Sequence, residues 1–197
     1  MFHCYQSNHL ESLSDRLAER LRQPLRSPLA REIVVVQSNG MARWLALRLA
    51  EQLGVCANLN FQFPATFFWE IARAVLRHLP PTPNFDKPVL NWRIMALLRE
   101  VDESPCFAPV RAWLGDDHDD FRRYELACRI ADCFDQYLVY RSDWIQQWEA
   151  GVEDHWQAEL WRRLVNDGET HRVQVQQQFR VALASGDFDH RRLPERV

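Results

Sequence analysis

The stretch V-V-V-Q-S-N-G-M-A-R-W, from Val34 to Trp44, decides how the chain is expected to fold. The apolar run from Ile33 to Val36 is typical of a parallel strand buried on both faces, and the polar turn after it opens a helix. In an open α/β sheet, ligand-binding groups lie at the carboxyl ends of the strands. The sequence therefore predicts that a ligand-facing edge of the sheet begins at Gln37.

This turn lacks the residues that hold a nucleotide. A phosphate loop of the G-x-x-x-x-G-K-[ST] type needs glycines for close backbone approach and a lysine for the β/γ-phosphates. The chain has a single lysine, Lys87, within a proline-rich stretch at 80–88 that is expected to be a loop. The predicted architecture looks like that of a nucleotide-driven motor, but the residues that would hold the nucleotide are missing. An active ATPase or nuclease is therefore disfavoured.

The hydropathy pattern predicts the order β-α-β-α-β before Pro64 and helices after it. We expect strands at 2–6, 31–37 and 57–63, and helices at 10–21 and 40–53, the second closed by Gly54. Further helices are expected at about 65–79, 88–101, 107–114, 119–140, 144–150, 155–165 and 171–184. The fold class is α/β: a small parallel sheet with flanking helices and right-handed crossovers, plus a largely helical part.

Three segments are expected within this organisation. Residues 1–64 form an α/β core portion, residues 65–185 a helical subdomain, and residues 186–197 a tail that leads to a further strand beyond Val197.

Composition argues against several classes of protein. A net charge of −3 disfavours a protein held to nucleic acid mainly by phosphate neutralisation, so any such contact would read base edges or depend on other subunits for attraction. There is no apolar run of the roughly 18 residues that a membrane helix needs, and no secretory signal at the start. Five scattered cysteines without C-x-x-C spacing fit reduced thiols, and we expect a cytoplasmic protein.

Catalytic and metal-binding patterns have little support. The cluster D-D-H-D-D at 116–120 resembles a metal site, but consecutive side chains mostly point outward. A solvated loop that caps the helix beginning near Phe121 is the favoured interpretation. The histidines lack H-x-x-x-H spacing, and no G-x-S-x-G motif occurs, so no metal, cofactor or catalytic residue is expected.

A second informative stretch is A-D-C-F-D-Q-Y-L-V-Y-R at 131–141. Asp132, Asp135 and Gln136 fall at i, i+3 and i+4, hence on one face of a helix, and Arg141 lies at its end. Spacing alone favours a solvated acidic edge. The functional alternative is a base-reading surface, because carboxylates accept from cytosine or guanine, and Arg matches guanine O6/N7.

Aromatic residues flank the turn at 61–69, F-Q-F-P-A-T-F-F-W. Phe63 and Trp69 could stack on bases near a strand end, a contact that contributes about 1–3 kcal/mol per base. The general tendency of aromatic side chains to be buried favours a place in the core instead.

Three of these stretches together resemble the N-terminus of the RecC family, the gamma subunits of exodeoxyribonuclease V. They are V-V-Q-S-N-G-M-A-R-W-L, A-N-L-N-F-Q-F-P-A-T-F-F-W and F-D-Q-Y-L-V-Y-R-S-D-W, in this order and spacing. The opening Y-Q-S-N-H-L is similar too, and the resemblance extends from Met1 to about Phe179. RecC proteins are much longer, so this chain would correspond to their first portion.

The resemblance implies a superfamily 1 helicase-like domain that has lost ATP hydrolysis and carries a helical insertion. In the family this portion lines a channel for the unwound 3′-ended single strand coming from the RecB motor, and it scans that strand for Chi. The implied partners are single-stranded DNA and the RecB and RecD subunits, in double-strand break repair by homologous recombination. The implied Chi-reading residues are Gln37, Asn39, Arg43, Phe63, Trp69, Asp132, Cys133, Asp135, Gln136 and Arg141, with Arg172 as a weaker candidate.

The chain departs from the family pattern at four of these positions. Well-known members carry Thr at the position of Asn39, Gln at that of Arg43, and Leu at those of Phe63 and Cys133. Arg43 adds a charge and changes the pattern of hydrogen-bond donors. The Chi octamer that is read, or the strictness with which it is read, is therefore expected to differ. We also expect weak or no Chi binding by this piece alone, and a subunit-docking module without base contacts remains the alternative function.

Overall fold

The computed structural model describes residues 3–27, 30–101, 103–115, 119–165, 170–186 and 188–197. Within them lie two strands, β1 (Glu32–Val35) and β2 (Leu59–Gln62). The helices are α1 (Leu10–Leu21), α2 (Asn39–Leu53), α3 (Pro64–Val75), α4 (Lys87–Arg99), α5 (Ala108–Leu114), α6 (Asp120–Tyr140), α7 (Ser142–Glu149), α8 (Trp156–Val165) and α9 (Arg172–Ser185). Short 3₁₀ turns occur at Pro105–Phe107 and His190–Arg192. The α/β class, mostly helical with a small parallel sheet, is confirmed.

The chain forms two compact units, Met1–Arg77 with Asp187–Val197, and His78–Gly186. The domain limits expected from the sequence, at residues 64 and 185, stay predictions. None of the described helices is both long and apolar enough to cross a membrane.

The first unit is organised around the parallel pair β1 and β2. Glu32 pairs with Leu59 and Val35 with Gln62, and the Val36 N–H donates to the Gln62 carbonyl at 2.9 Å. Parallel strands need a crossover connection, and α2 provides it. Both strands therefore end at the same edge of the sheet.

Helix α2 begins and ends where the turn chemistry predicts. The Ser38 side chain accepts a hydrogen bond from the Met41 N–H at 3.1 Å, which satisfies a donor that the first helical turn leaves open. Gly54 follows the helix with a φ of 82°, a conformation that favours glycine. The predicted helix at 40–53 and its closing glycine are confirmed.

Two expectations for this unit were wrong. Residues 3–6 do not form a strand, and all four side chains are exposed, so they gain little from packing on a sheet. β1 is not buried on both faces, because Val35 is 36% exposed and Ile33 and Val34 are only partly buried. In the part of the chain that the structure describes, the sheet has two strands. So narrow a sheet is too small for both of its faces to be covered by other elements.

The tail of the first unit packs back on its start. Arg196 Nε donates to the Glu32 carboxylate at 2.8 Å, and its Nη atoms donate to the Arg20 and Gln23 carbonyls. The end of α1, the start of β1 and the tail are thus held by one guanidinium.

The second unit is helical and has an aromatic core. Helix α6 buries one stripe of side chains at the spacing of an amphipathic helix: Ala127, Ile130, Ala131, Phe134 and Leu138. Leu90, Ile94 and Leu98 form the matching stripe of α4, which packs against α6. Phe134 lies edge-on to Trp148 and Trp161, with ring centroids 6.1 and 5.3 Å away.

Replacing Phe134 with alanine is expected to lower the free energy of unfolding by about 3–5 kcal/mol, because a fully buried ring leaves a cavity. The matched control is Tyr140→Ala on the same helix, a side chain that is 79% exposed, with an expected change within about 0.5 kcal/mol. Urea denaturation followed by tryptophan fluorescence measures both, since most of the tryptophans lie in this unit. Equal losses in the two variants would contradict the assigned core.

Candidate nucleic-acid interface

The first candidate group lies at the carboxyl end of β1. Gln37 comes directly after buried Val36, and Asn39 and Arg43 occupy the first two turns of α2. All three candidate side chains are exposed. Asn39 and Arg43 are four residues apart on a helix, so they lie on the same side of α2.

The second candidate group divides into an exposed and a buried ring. Phe63 follows β2 and is 41% exposed, whereas Trp69, on α3, is only 8% exposed. Because β1 and β2 are parallel and in register, Phe63 and Gln37 come from the same edge of the sheet. Burial favours the core interpretation of Trp69, since little of its ring is available for stacking.

Gln62, the last residue of β2, is a buried polar residue outside the set of candidate residues. It is 6% exposed, and its Nε2 donates to Glu70 on α3 at 2.7 Å. This bond fixes the end of β2 against α3. The sequence signal for this structural role is a polar residue at a position of a short strand that faces the core.

The third candidate group lies on α6 outside its buried stripe. Asp135 and Gln136 are exposed, and Asp132 and Cys133 are partly exposed. Between them Phe134 points into the core, so the helix presents polar groups on one side and aromatic packing on the other. Cys133 is a free cysteine that is only partly buried.

Lys87 pairs with Asp132 across the α4–α6 contact. The sequence placed Lys87 in a loop, but it is the first residue of α4, because Pro88 suits the first turn of a helix. Its Nζ contacts Asp132 Oδ1, and hydrogen bonding to Asp132 raises the pKa of Lys87. Burial of Asp86 raises the pKa of that carboxyl, with a smaller contribution from the negative charge of Asp135. The carboxyl groups of Asp86, Asp132 and Asp135 and the ammonium group of Lys87 thus lie near one another beside the candidate residues of α6.

Arg141 lies at the junction of α6 and α7. Its Nε and Nη2 donate to the two carboxylate oxygens of Asp143 at 3.1 and 2.9 Å. Its Cζ lies 3.6 Å from the centre of the Trp144 ring. Sequence spacing identified Arg141 but not these two neighbours, which contact it only because the helices meet at this residue.

Arg172, the weaker candidate, is the partly buried first residue of α9. Of the D-D-H-D-D cluster, 116–118 lie outside the described residues. Asp119 caps α6 by accepting from the Phe121 N–H at 2.9 Å, so the capping interpretation is confirmed at that residue.

A polar network elsewhere in the helical unit has a structural role. His171 is buried, and its Nε2 lies 2.6 Å from Glu149 Oε1, while the Trp161 indole donates to the same carboxylate at 3.0 Å. Burial acts to raise the pKa of Glu149, but the contacts with His171 and Trp161 outweigh it and hold that pKa below its ordinary value. The network joins α7, α8 and α9.

The lowered pKa of Glu149 predicts a stability contribution that acid removes. It is fully present above the ordinary glutamate pKa of 4.5 and is lost as pH falls through the lower pKa of the folded state. Glu149→Gln should therefore cost about 1–2 kcal/mol at pH 7 and progressively less below pH 4.5. Urea denaturation at several pH values measures this, with exposed Glu100→Gln as the control. A cost for Glu149→Gln that does not vary with pH would contradict the assignment.

Comparison with known proteins places this arrangement in a family. A family model described as RecC, N-terminal domain, matches residues 2–197, so the chain belongs to the RecC N-terminal domain family. It is 39% identical, over 84% of its length, to the RecBCD enzyme subunit RecC of Escherichia coli (strain K12), and covers 16% of that protein. It is 35% identical over 100% of its length to the subunit of Haemophilus influenzae (strain ATCC 51907 / DSM 11121 / KW20 / Rd), and covers 20% of it. The RecC subunit of Mycolicibacterium smegmatis (strain ATCC 700084 / mc(2)155) is 30% identical over 82% of the chain, which covers 15% of that protein. The chain thus spans a fifth or less of the length of these relatives.

Proposed function

We propose that this chain is the N-terminal portion of a non-catalytic DNA-recognition and scaffold subunit of a RecBCD-type helicase–nuclease. It reads the unwound 3′-ended single strand for Chi during double-strand break repair by homologous recombination. Its partners are that strand and RecB and RecD subunits in the cytoplasm. ATP-dependent unwinding and exodeoxyribonuclease activity belong to the assembled complex.

One observation carries this proposal: Gln37 and Phe63 lie at the same carboxyl edge of the parallel pair, and both are exposed. In α/β sheets this edge is where ligands bind. An amide presents a donor and an acceptor to an unpaired base edge, and an exposed ring offers a stacking surface. Asn39 and Arg43 continue the polar surface along α2.

The charges of the candidate residues support contact with bases rather than with phosphates. The full sequence has a net charge of −3, and the exposed carboxylate of Asp135 on α6 would repel a phosphate backbone. Carboxylates accept from the amino groups of cytosine and guanine, which single strands expose. An acidic face is therefore compatible with reading bases, provided that other parts of the complex attract the backbone.

The helicase-like part of the proposal is supported by β1–α2–β2 and by the residues of its turn. The strand–turn–helix order matches the place where an active motor holds a nucleotide, but the turn Gln37–Gly40 has no lysine and a single glycine. We propose that this domain keeps a motor framework and uses its sheet edge to inspect bases. Trp69 then acts by supporting α3 from the core, while Phe63 supplies the exposed ring.

The leading test uses the full-length protein in its assembled complex. Gln37→Ala and Asp135→Ala should each reduce Chi-dependent cleavage at least about tenfold, because losing a paired base contact costs about 1–3 kcal/mol and recognition requires several contacts together. Unwinding rates should stay near normal. The measurements are cleavage frequency at a single recognised octamer and the unwinding rate on the same DNA.

The matched controls are Gln147→Ala and Asp154→Ala, which remove exposed side chains of the same types outside the candidate groups. They should leave both measurements unchanged. Collapse of unwinding in the Gln37 or Asp135 variants, with the response to the octamer intact, would show that these residues are structural.

A docking role without base contacts is the alternative, and one feature favours it. Trp92 on α4 and Phe121 on α6 are 63% and 73% exposed, and the Trp92 ring lies 5.5 Å from that of Tyr124. Exposed aromatic groups of this kind are common at protein interfaces. Crosslinks from this patch to a partner subunit, without DNA crosslinks at residues 37–43 or 132–141, would favour docking.

A further inference from the structure

The backbone fixes Arg141 at the junction of two helices. Its N–H donates to the Tyr137 carbonyl at 2.9 Å, which closes α6, and its carbonyl accepts from the Trp144 N–H at 3.0 Å, which opens α7. Its φ and ψ of −135° and 50° belong to neither helix. The Cα of Arg141 therefore has little freedom to move without disturbing both helices.

The side chain of Arg141 is held on an edge and on a face. Asp143 binds the edge formed by Nε and Nη2, and Trp144 covers one face of the guanidinium plane. Trp144 is itself fixed, because its ring packs edge-on to Tyr137 at 5.3 Å and lies 6.5 Å from buried Trp148. The direction of the guanidinium is thus set by the core of the helical unit.

These two contacts leave one edge of the guanidinium able to read an acceptor pair. A guanidinium carries five N–H groups in a plane, and Asp143 uses one from Nε and one from Nη2. The outer edge, formed by Nη1 and the second N–H of Nη2, still offers two parallel donors. Guanine presents two acceptors, O6 and N7, at a matching spacing.

We propose that Asp143 and Trp144 are positioning residues that orient the outer edge of Arg141 toward the O6 and N7 of an unpaired guanine in the recognised strand. This rests on the proposed function, because Arg141 is one of the base-reading candidates. The fork with Arg141 lowers the pKa of Asp143, so the carboxylate stays charged and keeps its two acceptors at neutral pH. Its negative charge also makes Arg141 a weaker site for a phosphate, which favours a base.

The test measures Chi-dependent cleavage by the assembled full-length complex on DNA in which each guanine of the recognised sequence is replaced in turn by 7-deazaguanine. This analogue lacks only the N7 acceptor. In the wild type, one position should lose at least about fivefold in cleavage, the lower range for a bidentate base contact. Asp143→Asn, which keeps the shape but loses one acceptor oxygen and the charge, should lower cleavage of normal DNA and abolish sensitivity at that position.

Two further variants separate positioning from folding. Asp143→Glu restores the carboxylate and should recover much of the cleavage and the sensitivity to 7-deazaguanine. Trp144→Phe keeps an aromatic face and should be milder than Trp144→Leu. A general loss from Asp143→Asn that retains sensitivity at the same guanine would overturn the inference, because it indicates a structural role.

The remaining outcomes distinguish this inference from the proposed function. If Arg141→Ala abolishes the response but no 7-deazaguanine matters in the wild type, Arg141 contacts another group, such as a phosphate, and the guanine assignment fails. If Gln37→Ala and Arg141→Ala both leave the response intact, the proposed function itself fails.

Discussion

Parallel pairing of β1 and β2 is the constraint on which the first unit depends. The crossover through α2 forces both strands to end at the same edge, so the residues that follow each strand come together although they are distant in sequence. The Ser38 cap and the Gln62–Glu70 hydrogen bond then fix the first turn of α2 and the end of β2. An edge built in this way holds exposed side chains at defined positions, as recognition of a ligand requires.

The helical unit achieves the same rigidity by different means. Its candidate residues lie on α6 beside a stripe of fully buried aromatic and aliphatic groups, so Asp135 and Gln136 project from a helix whose other side is fixed. Arg141 is held by the meeting of two helices and by the ring of Trp144. The polar groups of both units are therefore presented by well-packed elements.

Much of the fold was predictable because local signals agree with it. Gly54 and Pro64 mark boundaries that the structure confirms, and the helix expected at 119–140 is present as α6. No strand forms at residues 3–6, where one was expected, because so short a stretch does not reveal whether a partner strand exists. Lys87 was assigned to a loop because prolines count as breakers, although a proline in a first helical turn is compatible with a helix. The candidate residues themselves were chosen from sequence motifs. The Lys87–Asp132 contact depends on how α4 and α6 pack, and the Arg141–Asp143 contact on the backbone and side-chain rotamers at the helix junction, neither of which residue spacing encodes.

The pairing of Lys87 with Asp132 has a chemical consequence for the whole segment. Lys87 is the only lysine among 197 residues and is about half exposed, so it is the segment's single side-chain target for an amine-acylating reagent. The reagent attacks only the unprotonated amine, and Asp132 raises the pKa of Lys87 and thereby keeps that form scarce. A group that binds the Asp132 carboxylate in place of Lys87 would remove this effect on the lysine pKa and accelerate acylation of the amine. The rate of acylation at Lys87 Nζ therefore reports whether another group has bound the Asp132 carboxylate.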